Sequence, residues 1–458
     1  MSDLNGLVAR LPTRSMGLKL LLVCALALVM SVPALAVFLV LMDRNHQANQ
    51  ATDNVSELLG GEQTFLGPTL VVPYQIPRQT KDDVATTGVY VVFPQTGDAT
   101  AKSATEIRQR SLFRVPVYKT DLDFKASFDL AGVPANAPER AVLDWSRAQI
   151  VVGASDLRGA QSDILVTSGG KALAVAPAVA LSDAATAAGA LQSPEGGLKF
   201  AAFSLGGGLT RPDGRFDVEA KLNFSGAKRL AILPYGKTTR LHMASDWPDP
   251  SFDGGFAPRR KAIDDKGFEA DWTVPFVARG VAGEGGREIV ARLDPLSLGV
   301  SFVDPANPYQ SVGRSLKYAL LFVGLVFLAY FMFESRTGRR VHPAQYVLIG
   351  LAQVIFYFLL LSIAEQIGFD GAFAIAAAAT VGLISAYAGW VFESRRQGLI
   401  ALVAFTLLYA LIYILMRLED FALLVGALTS FAAIATVMYF TRRVDWYGGA
   451  RQTAESSR

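Results

Sequence analysis

The stretch RRVHPAQYVLIGLAQVIFYFLLLSIAEQIGFD, Arg339 to Asp370, decides the fold class. It opens on two arginines and a histidine. It then runs apolar for the roughly 20 residues that a helix needs to cross a hydrocarbon core. It closes on Glu365 and Asp370. A basic end, an apolar middle and an acidic end describe a membrane helix with a fixed direction.

Five further apolar runs surround it. The first is Gly17–Met42; the others are Leu316–Phe333, Ala372–Phe392, Leu399–Met416 and Phe421–Phe440, and the opening stretch supplies Tyr346–Ala364. The composition agrees: 51% of the 458 residues are hydrophobic, only 18% are charged, and the mean hydropathy is +0.32. Such values are too apolar for an ordinary water-soluble chain of this length. The first run has a basic flank and a small-x-small site at Ala34-Leu35-Ala36, as a cleaved leader does. It continues apolar through Val37–Met42, so its length predicts an uncleaved anchor.

The short loops set the orientation. Basic residues precede the first run (Arg10, Arg14, Lys19), separate the second from the third (Arg336, Arg339, Arg340), separate the fourth from the fifth (Arg395, Arg396) and follow the sixth (Arg442, Arg443). The alternate loops, EQIGFD and RLED, carry four acids and one arginine. Positive charge alternating with each crossing predicts both termini in the cytoplasm. The predicted organisation is a cytoplasmic 1–16, an anchor at 17–42, an exported domain at 43–315, a five-helix bundle at 316–440 and a cytoplasmic tail at 441–458.

The exported region reads as strands. In DLDFKASFDL, Leu122, Phe124, Ala126, Phe128 and Leu130 share one face. Phe216, Val218, Ala220, Leu222 and Phe224 do the same, as do Phe268, Ala270, Trp272, Val274 and Phe276. Period-two alternation marks strands with one buried face. Glycine and proline clusters separate them, which predicts an antiparallel, sandwich-like domain. The alanine-rich Ser168–Gly197 reads as a short helix plus loop dividing two subdomains.

Chemistry is sparse. The single cysteine, Cys24, excludes a disulfide and reads as a buried thiol. His46, His242 and His342 are the only histidines, and the predicted topology keeps His342 from the other two, so they share no metal. No phosphate-binding loop, zinc-protease motif or nucleophile elbow occurs, and no basic, aromatic-interleaved run marks a nucleic-acid partner. The reading is therefore a non-enzyme without metal or cofactor. The loop SDWPDPSFDGGF, with Trp247, Asp249 and Asp253, is a candidate exported site, its bland reading being solvated acids in a proline-glycine turn.

Within the membrane, His342, Tyr346, Gly350, Gln353 and Tyr357 fall in one helical stripe, spaced four, four, three and four. The stripe predicts a polar seam in which Gln353 bonds a neighbouring helix; the rival reading is a polar path for a solute. Ala378, Gly382 and Ala386 repeat every four residues and predict a face for close helix packing. FESR occurs at Phe333–Arg336 and again at Phe392–Arg395, which reads as convergence on one kind of interfacial helix end.

Several stretches resemble the CreD family of bacterial inner-membrane proteins, described as cell-envelope integrity proteins. They are GPTLVVPY (Gly67–Tyr74), LFRVPVY (Leu112–Tyr118), VGASDLRG (Val152–Gly159), SDWPDPSFDGGFAPRRKAIDDKGFEADW (Ser245–Trp272), RSLKYALLF (Arg314–Phe322) and the opening stretch from His342 to Phe369. Two places depart from the family pattern. Pro305-Ala306-Asn307-Pro308-Tyr309 stands where the family has Pro-Val-Asp-x-Tyr, and Ala364-Glu365-Gln366 where it has Ser-Glu-His. The resemblance implies a role in envelope integrity and cell-wall stress, under a two-component system, and carries no catalytic residues. The implied partners are the phospholipid bilayer and envelope proteins or cell-wall components. Sequence alone leaves the oligomeric state open.

Overall fold

The structure is a computed structural model. It describes residues 16–77, 86–110, 113–131, 133, 137–176, 198–205, 214–302, 308–337 and 341–417, with scattered positions from 424 to 442. The chain divides into two compact units, Asn49–Pro305 and a second formed by Met1–Ala48 with Ala306–Arg458. The segment 1–16 and the tail 441–458, predicted to be cytoplasmic, lie almost wholly outside the described residues, and of the sixth apolar run only scattered positions are described.

The second unit is helical. Its described helices are α1 (Met16–Val29), α2 (Ser31–Leu58), α3 (Pro308–Lys317), α4 (Ala319–Thr337), α5 (Pro343–Ile367), α6 (Phe369–Val391) and α7 (Arg395–Arg417). Four spans are long and apolar enough to cross a membrane, counting Gly17–Leu58 as one; the bent pair α3 and α4 makes a fifth. The second apolar run thus differs from its expected form. A separate helix, α3, precedes α4 and meets it at 52°. The bend follows Ser315, whose buried hydroxyl donates to the Val312 carbonyl at 2.6 Å. Such back-bonding competes with the backbone ladder and bends helices. The break between α1 and α2 at Met30 has another cause: Pro33 has no N–H, and its ring crowds the carbonyl four residues back, that of Val29. Cys24, expected buried, is exposed on α1.

The Asn49–Pro305 unit contains two sheets. In the ten-stranded sheet, Gln63–Ile76 is central and buried along most of its length. Arg229–Ile232 flanks it on one side and Gln149–Ala154 on the other. Thr86–Val92 pairs with its second half. The eight-stranded sheet runs from Arg260–Asp264 through Gly267–Val274, Thr238–Ser245, Thr96–Arg110, Phe113–Asp129 and Arg215–Ala227 to Leu165–Ser168 and Lys171–Ala172. The inward faces of both sheets feed one core, including Phe65, Leu70 and Ile232 from the first and Phe124, Phe224 and Trp272 from the second. Phe65 and Phe224 meet edge to face at 5.1 Å.

The predicted alternation holds at Leu122, Phe124, Ala126, Phe128 and Leu130, all at most 3% exposed. In Gly267–Val274 it ends at Val274; Phe276 is exposed because Pro275 starts a single helical turn there. The sheets are not wholly antiparallel as expected. Gln63–Ile76 runs parallel to Arg229–Ile232, and Thr96–Arg110 runs parallel to Thr238–Ser245. The reason lies in two crossings between the sheets, one after Val92 and one after Ile232. They lie side by side, with Lys237 N donating to Pro94 O and Thr238 N to Gln95 O at 2.8 and 3.1 Å. Two chains crossing together in one direction enter the next sheet parallel. Tyr235 wedges the crossing: it is fully buried, and its hydroxyl lies 2.9 and 2.8 Å from the Asp98 and Lys125 carbonyls. Gly67 and Gly97 make room for its ring, since a Cβ on either would stand within 2.8 Å of it.

The outward face of the eight-stranded sheet is charged. One cross-strand row reads Thr273, Arg240, Asp98, Lys125, Glu219, with signs alternating from Arg240 onward. Opposite charges on paired strands stabilise a sheet by a few tenths to about 1 kcal/mol each, and such a face belongs in water. The alanine-rich Ser168–Gly197 begins as strand at Lys171–Ala172 and Ala174–Ala176; residues 177–197 lie outside the described residues.

Candidate functional site

The helical unit brings together three of the four seam residues. Tyr346, Gln353 and Tyr357 are at most 3% exposed on α5. Gln353 Nε2 donates to the Phe322 carbonyl of α4 at 3.4 Å, the interhelical bond expected from its position. The Tyr409 hydroxyl of α7 lies beside the same amide. Gln353 Oε1 has no partner among the described residues. Aromatic rings fill the surrounding space: Phe356 meets Tyr409 at 5.0 Å and Phe373 at 5.6 Å. Gly350, in the same stripe, gives the seam its tightness, because a Cβ there would stand 2.7 Å from Met30 and 2.9 Å from Phe327.

His342 leaves the seam. It is exposed and caps α5: its Nδ1 accepts from Ala344 N at 3.2 Å while Gln345 Oε1 accepts from His342 N at 2.9 Å. This reciprocal box satisfies two N–H groups that a helix start leaves open. Spacing alone placed His342 on the stripe, but the residue before Pro343 is held out of helix geometry.

The seam ends instead on an acid. Glu334 of α4 is 4% exposed and accepts from three donors. Lys19 of α1 pairs with it, Val341 N donates at 2.9 Å and the Tyr346 hydroxyl donates at 3.1 Å. Lys19 also donates to Val341 O at 2.9 Å. The site therefore ties α1, α4 and the start of α5 through one carboxylate. Its signal in the sequence was the first FESR copy, read there as a helix end alone. The second copy behaves differently: Glu393 is exposed and its backbone turns to φ 46° at the end of α6.

The small-residue stripe faces away from the described helices. Ala378, Gly382 and Ala386 are exposed among the described residues, and a Cβ on Gly382 would meet nothing within 4 Å. The buried face of α6 is Ala372, Ala376, Thr380 and Ser385 with larger neighbours. Close approach occurs where Gly389 meets Gly398 of α7, a Cβ on Gly398 falling 3.2 Å from the Gly389 Cα.

In the two-sheet unit the candidate loop is structural. Trp247 is buried and its indole donates to the Asp249 carbonyl at 3.1 Å. Asp246 accepts from Thr105 N and its hydroxyl at 2.8 and 2.7 Å. Asp253 accepts from Arg229 at 2.8 Å and from Ser301. These acids are tied to separate strands, and among the described residues no group of three histidines, cysteines or acids is placed to hold a metal. Sequence reading also missed Asp156, which caps the turn Leu157–Gly159 and accepts from Arg158 and from Lys199 at 3.1 Å. Burial alone would raise its carboxyl; the Arg158 and Lys199 bonds outweigh burial and bring it down to about 2.

A family model described as inner membrane protein CreD matches residues 15–447. The chain belongs to the CreD family. The inner membrane protein CreD of Escherichia coli (strain K12) is 28% identical over 428 residues, which cover 92% of this chain and 91% of that protein. In this CreD-family chain the match spans the two-sheet unit whole and most of the helical one. The Lys19–Glu334 tie, the seam and the outward sheet face are all parts of the matched region.

Proposed function

We propose that this CreD-family protein is a non-enzymatic binding, scaffolding or sensing component of the cell envelope. A sandwich-like domain stands in the periplasm on one anchoring helix and a five-helix bundle, with both termini in the cytoplasm. The observation that carries the reading is the charged outward face of the eight-stranded sheet, built into a membrane protein. Such a face suits water and presents a surface to aqueous partners.

The orientation draws support from the side-chain ties. Lys19 at the start of α1 meets Glu334 at the end of α4, so these two ends share a side. Glu365 accepts from Tyr309, and Asp370 from Tyr413, each at 3.0 Å, so the acidic loop ends share theirs. Alternating loop charge names the first side cytoplasmic. A transport role for a lipid-like or apolar solute is the rival reading. The Gln353 bond to Phe322 and the aromatic filling around Tyr357 favour a packed seam over a path.

The test is photo-crosslinking in living cells from Lys125 and Glu219 positions on the outward face, followed by identification of what is captured. Specific capture of an envelope protein or cell-wall component supports the reading. Absence of capture, with solute-dependent uptake by vesicles containing the protein, would replace it with transport.

A further inference from the structure

The outward face of the eight-stranded sheet is broken in one place. A cleft of about 880 Å³ opens over its end, lined by residues that include Lys102, Lys119, Ala244, Lys266 and Glu269. Strand register explains it. One row across six strands reads Ala262, Glu269, Ala244, Lys102, Asp121, Asn223. In the row four residues along, the long side chains of Arg240, Lys125 and Glu219 stand on this face with Asp98 among them. Here two alanines stand where such side chains would, so the floor drops over Ala244 and the charged residues on either side become walls.

The charges in the cleft divide into two sets. Three acids accept local hydrogen bonds and keep their charge: Asp121 accepts from Asn223, Asp246 from Thr105, and Asp264 from Lys266 N. Glu269 has an alanine on each side in its row and no ion-pair partner among the described residues. Lys102, Lys119 and Lys266 likewise carry ammonium groups with no carboxylate within ion-pair distance among the described residues. Glu269 therefore stands on one wall, in the same hairpin as Lys266, and Lys102 and Lys119 stand on the other with Asp121 beside them. Glu269 and Lys102 are two strands apart, about 9.5 Å between backbones at 4.7–4.9 Å per strand.

We propose that this cleft binds a short zwitterionic peptide, its amine on Glu269 and its carboxylate on Lys102, with Lys119 beside it. An extended tripeptide spans about 10 Å at 3.3–3.6 Å per residue, comparable with the spacing of the two strands that carry Glu269 and Lys102. A polyanion such as nucleic acid meets Glu269, Asp121 and Asp246 and is repelled. This deepens the binding role proposed above and rests on the two-sheet unit being a binding module.

The experiment uses the purified full-length protein in detergent, so it depends on neither the orientation nor the envelope role. Trialanine, N-acetyl-trialanine and trialanine amide are titrated by calorimetry up to about 10 mM, where a millimolar site is detected. Trialanine binds saturably to the wild type, and blocking either end weakens binding about tenfold. Glu269→Gln weakens trialanine by a similar factor and leaves the acetylated peptide unchanged. Lys102→Met weakens trialanine and leaves the amide unchanged. Arg292→Met, outside the cleft and off this sheet face, changes none of the three. Unaltered thermal melts show that the variants are folded. The proposal is overturned if the wild type shows no saturable trialanine binding, or if each variant weakens blocked and free peptides equally. Crosslinking from Lys125 and Glu219 that captures an envelope partner after such a failure would keep the binding role and discard the peptide.

Discussion

Replacing Glu334 by alanine tests whether one carboxylate holds the first helix to the rest of the bundle. The side chain is 4% exposed and accepts from Lys19, Val341 N and the Tyr346 hydroxyl. Its removal leaves the Val341 N–H and the Tyr346 O–H buried without an acceptor, at about 1–3 kcal/mol for each unmade bond. Lys19, 21% exposed, escapes part of this cost by reaching toward solvent. The expected loss is about 3–5 kcal/mol, the usual result of breaking one partner of a buried pair. Lys19→Met costs a similar amount, because it strands a buried carboxylate. The double variant Lys19→Met with Glu334→Gln is expected to recover most of the loss, since the amide still accepts from Val341 N and no charge is left unpaired. The assay is thermal unfolding of the full-length protein in detergent, read as the fraction still monodisperse after heating. The reasoning is refuted if either single change costs less than about 0.5 kcal/mol, or if the double variant is as unstable as the sum of the singles.

Gln353→Leu removes an amide whose oxygen has no partner among the described residues and whose bond to Phe322 is long, so thermal stability stays level or falls by no more than about 1 kcal/mol as the Tyr409 hydroxyl loses its neighbour; a loss above about 2 kcal/mol in the same assay argues for a polar network instead. Gly350→Val drives side-chain atoms into Met30 and Phe327, and a stability loss of about 1–3 kcal/mol is expected. Arg279 is 1% exposed, stacks on Phe93 at 4.3 Å, and its three guanidinium nitrogens have no hydrogen-bond partner among the described residues. Burial brings it from 12.5 down to about 10, so the fold disfavours its charged form by about 3 kcal/mol at neutral pH, against about 2 kcal/mol returned by the ring. Arg279→Met therefore leaves the melt unchanged or slightly higher, and a fall of several degrees sinks this accounting. Asp156 sits at about 2, below its ordinary 3.8, so its stabilisation is full above about pH 4 and is lost as pH falls toward 2. Asp156→Asn and the wild type differ by at most about 2 kcal/mol above pH 5, and acid melts of the two should converge as the carboxyl protonates.

The elements whose pattern repeats were legible. Alternation at Leu122–Leu130 and at Val218–Phe224 named both the strands and their buried face, because a period of two leaves no other face to bury. Gln353 was found because an amide in an apolar helix seeks a partner. Placement across elements was not legible. Lys19 and Glu334 are 315 residues apart, and each looks like an ordinary interfacial charge until the helix ends meet. α6 carries small residues on more than one face: the Ala378–Gly382–Ala386 stripe is exposed among the described residues, while the contact with α7 falls at Gly389 and Gly398, a pairing that only the neighbour's own glycine reveals. The parallel pairs were hidden because strand direction follows from how the chain crosses between sheets at Tyr235, which no local pattern records.

The crossing at Tyr235 also governs when the two-sheet unit can become stable. Gln63–Ile76 waits for Arg229–Ile232, and Thr96–Arg110 waits for Thr238–Ser245. The last partner, Leu298–Phe302, closes against both Arg229–Ile232 and Pro250–Gly254, only six residues before α3 begins at Pro308. No early portion of the chain can assemble its own core and wait. Pairings of such long sequence separation make folding slow and leave strand edges open in the interval. During synthesis the unit is therefore most vulnerable to proteases and to mispairing just as the next membrane helix is being made. Truncations that stop short of Leu298 should yield a degraded product rather than a smaller folded one.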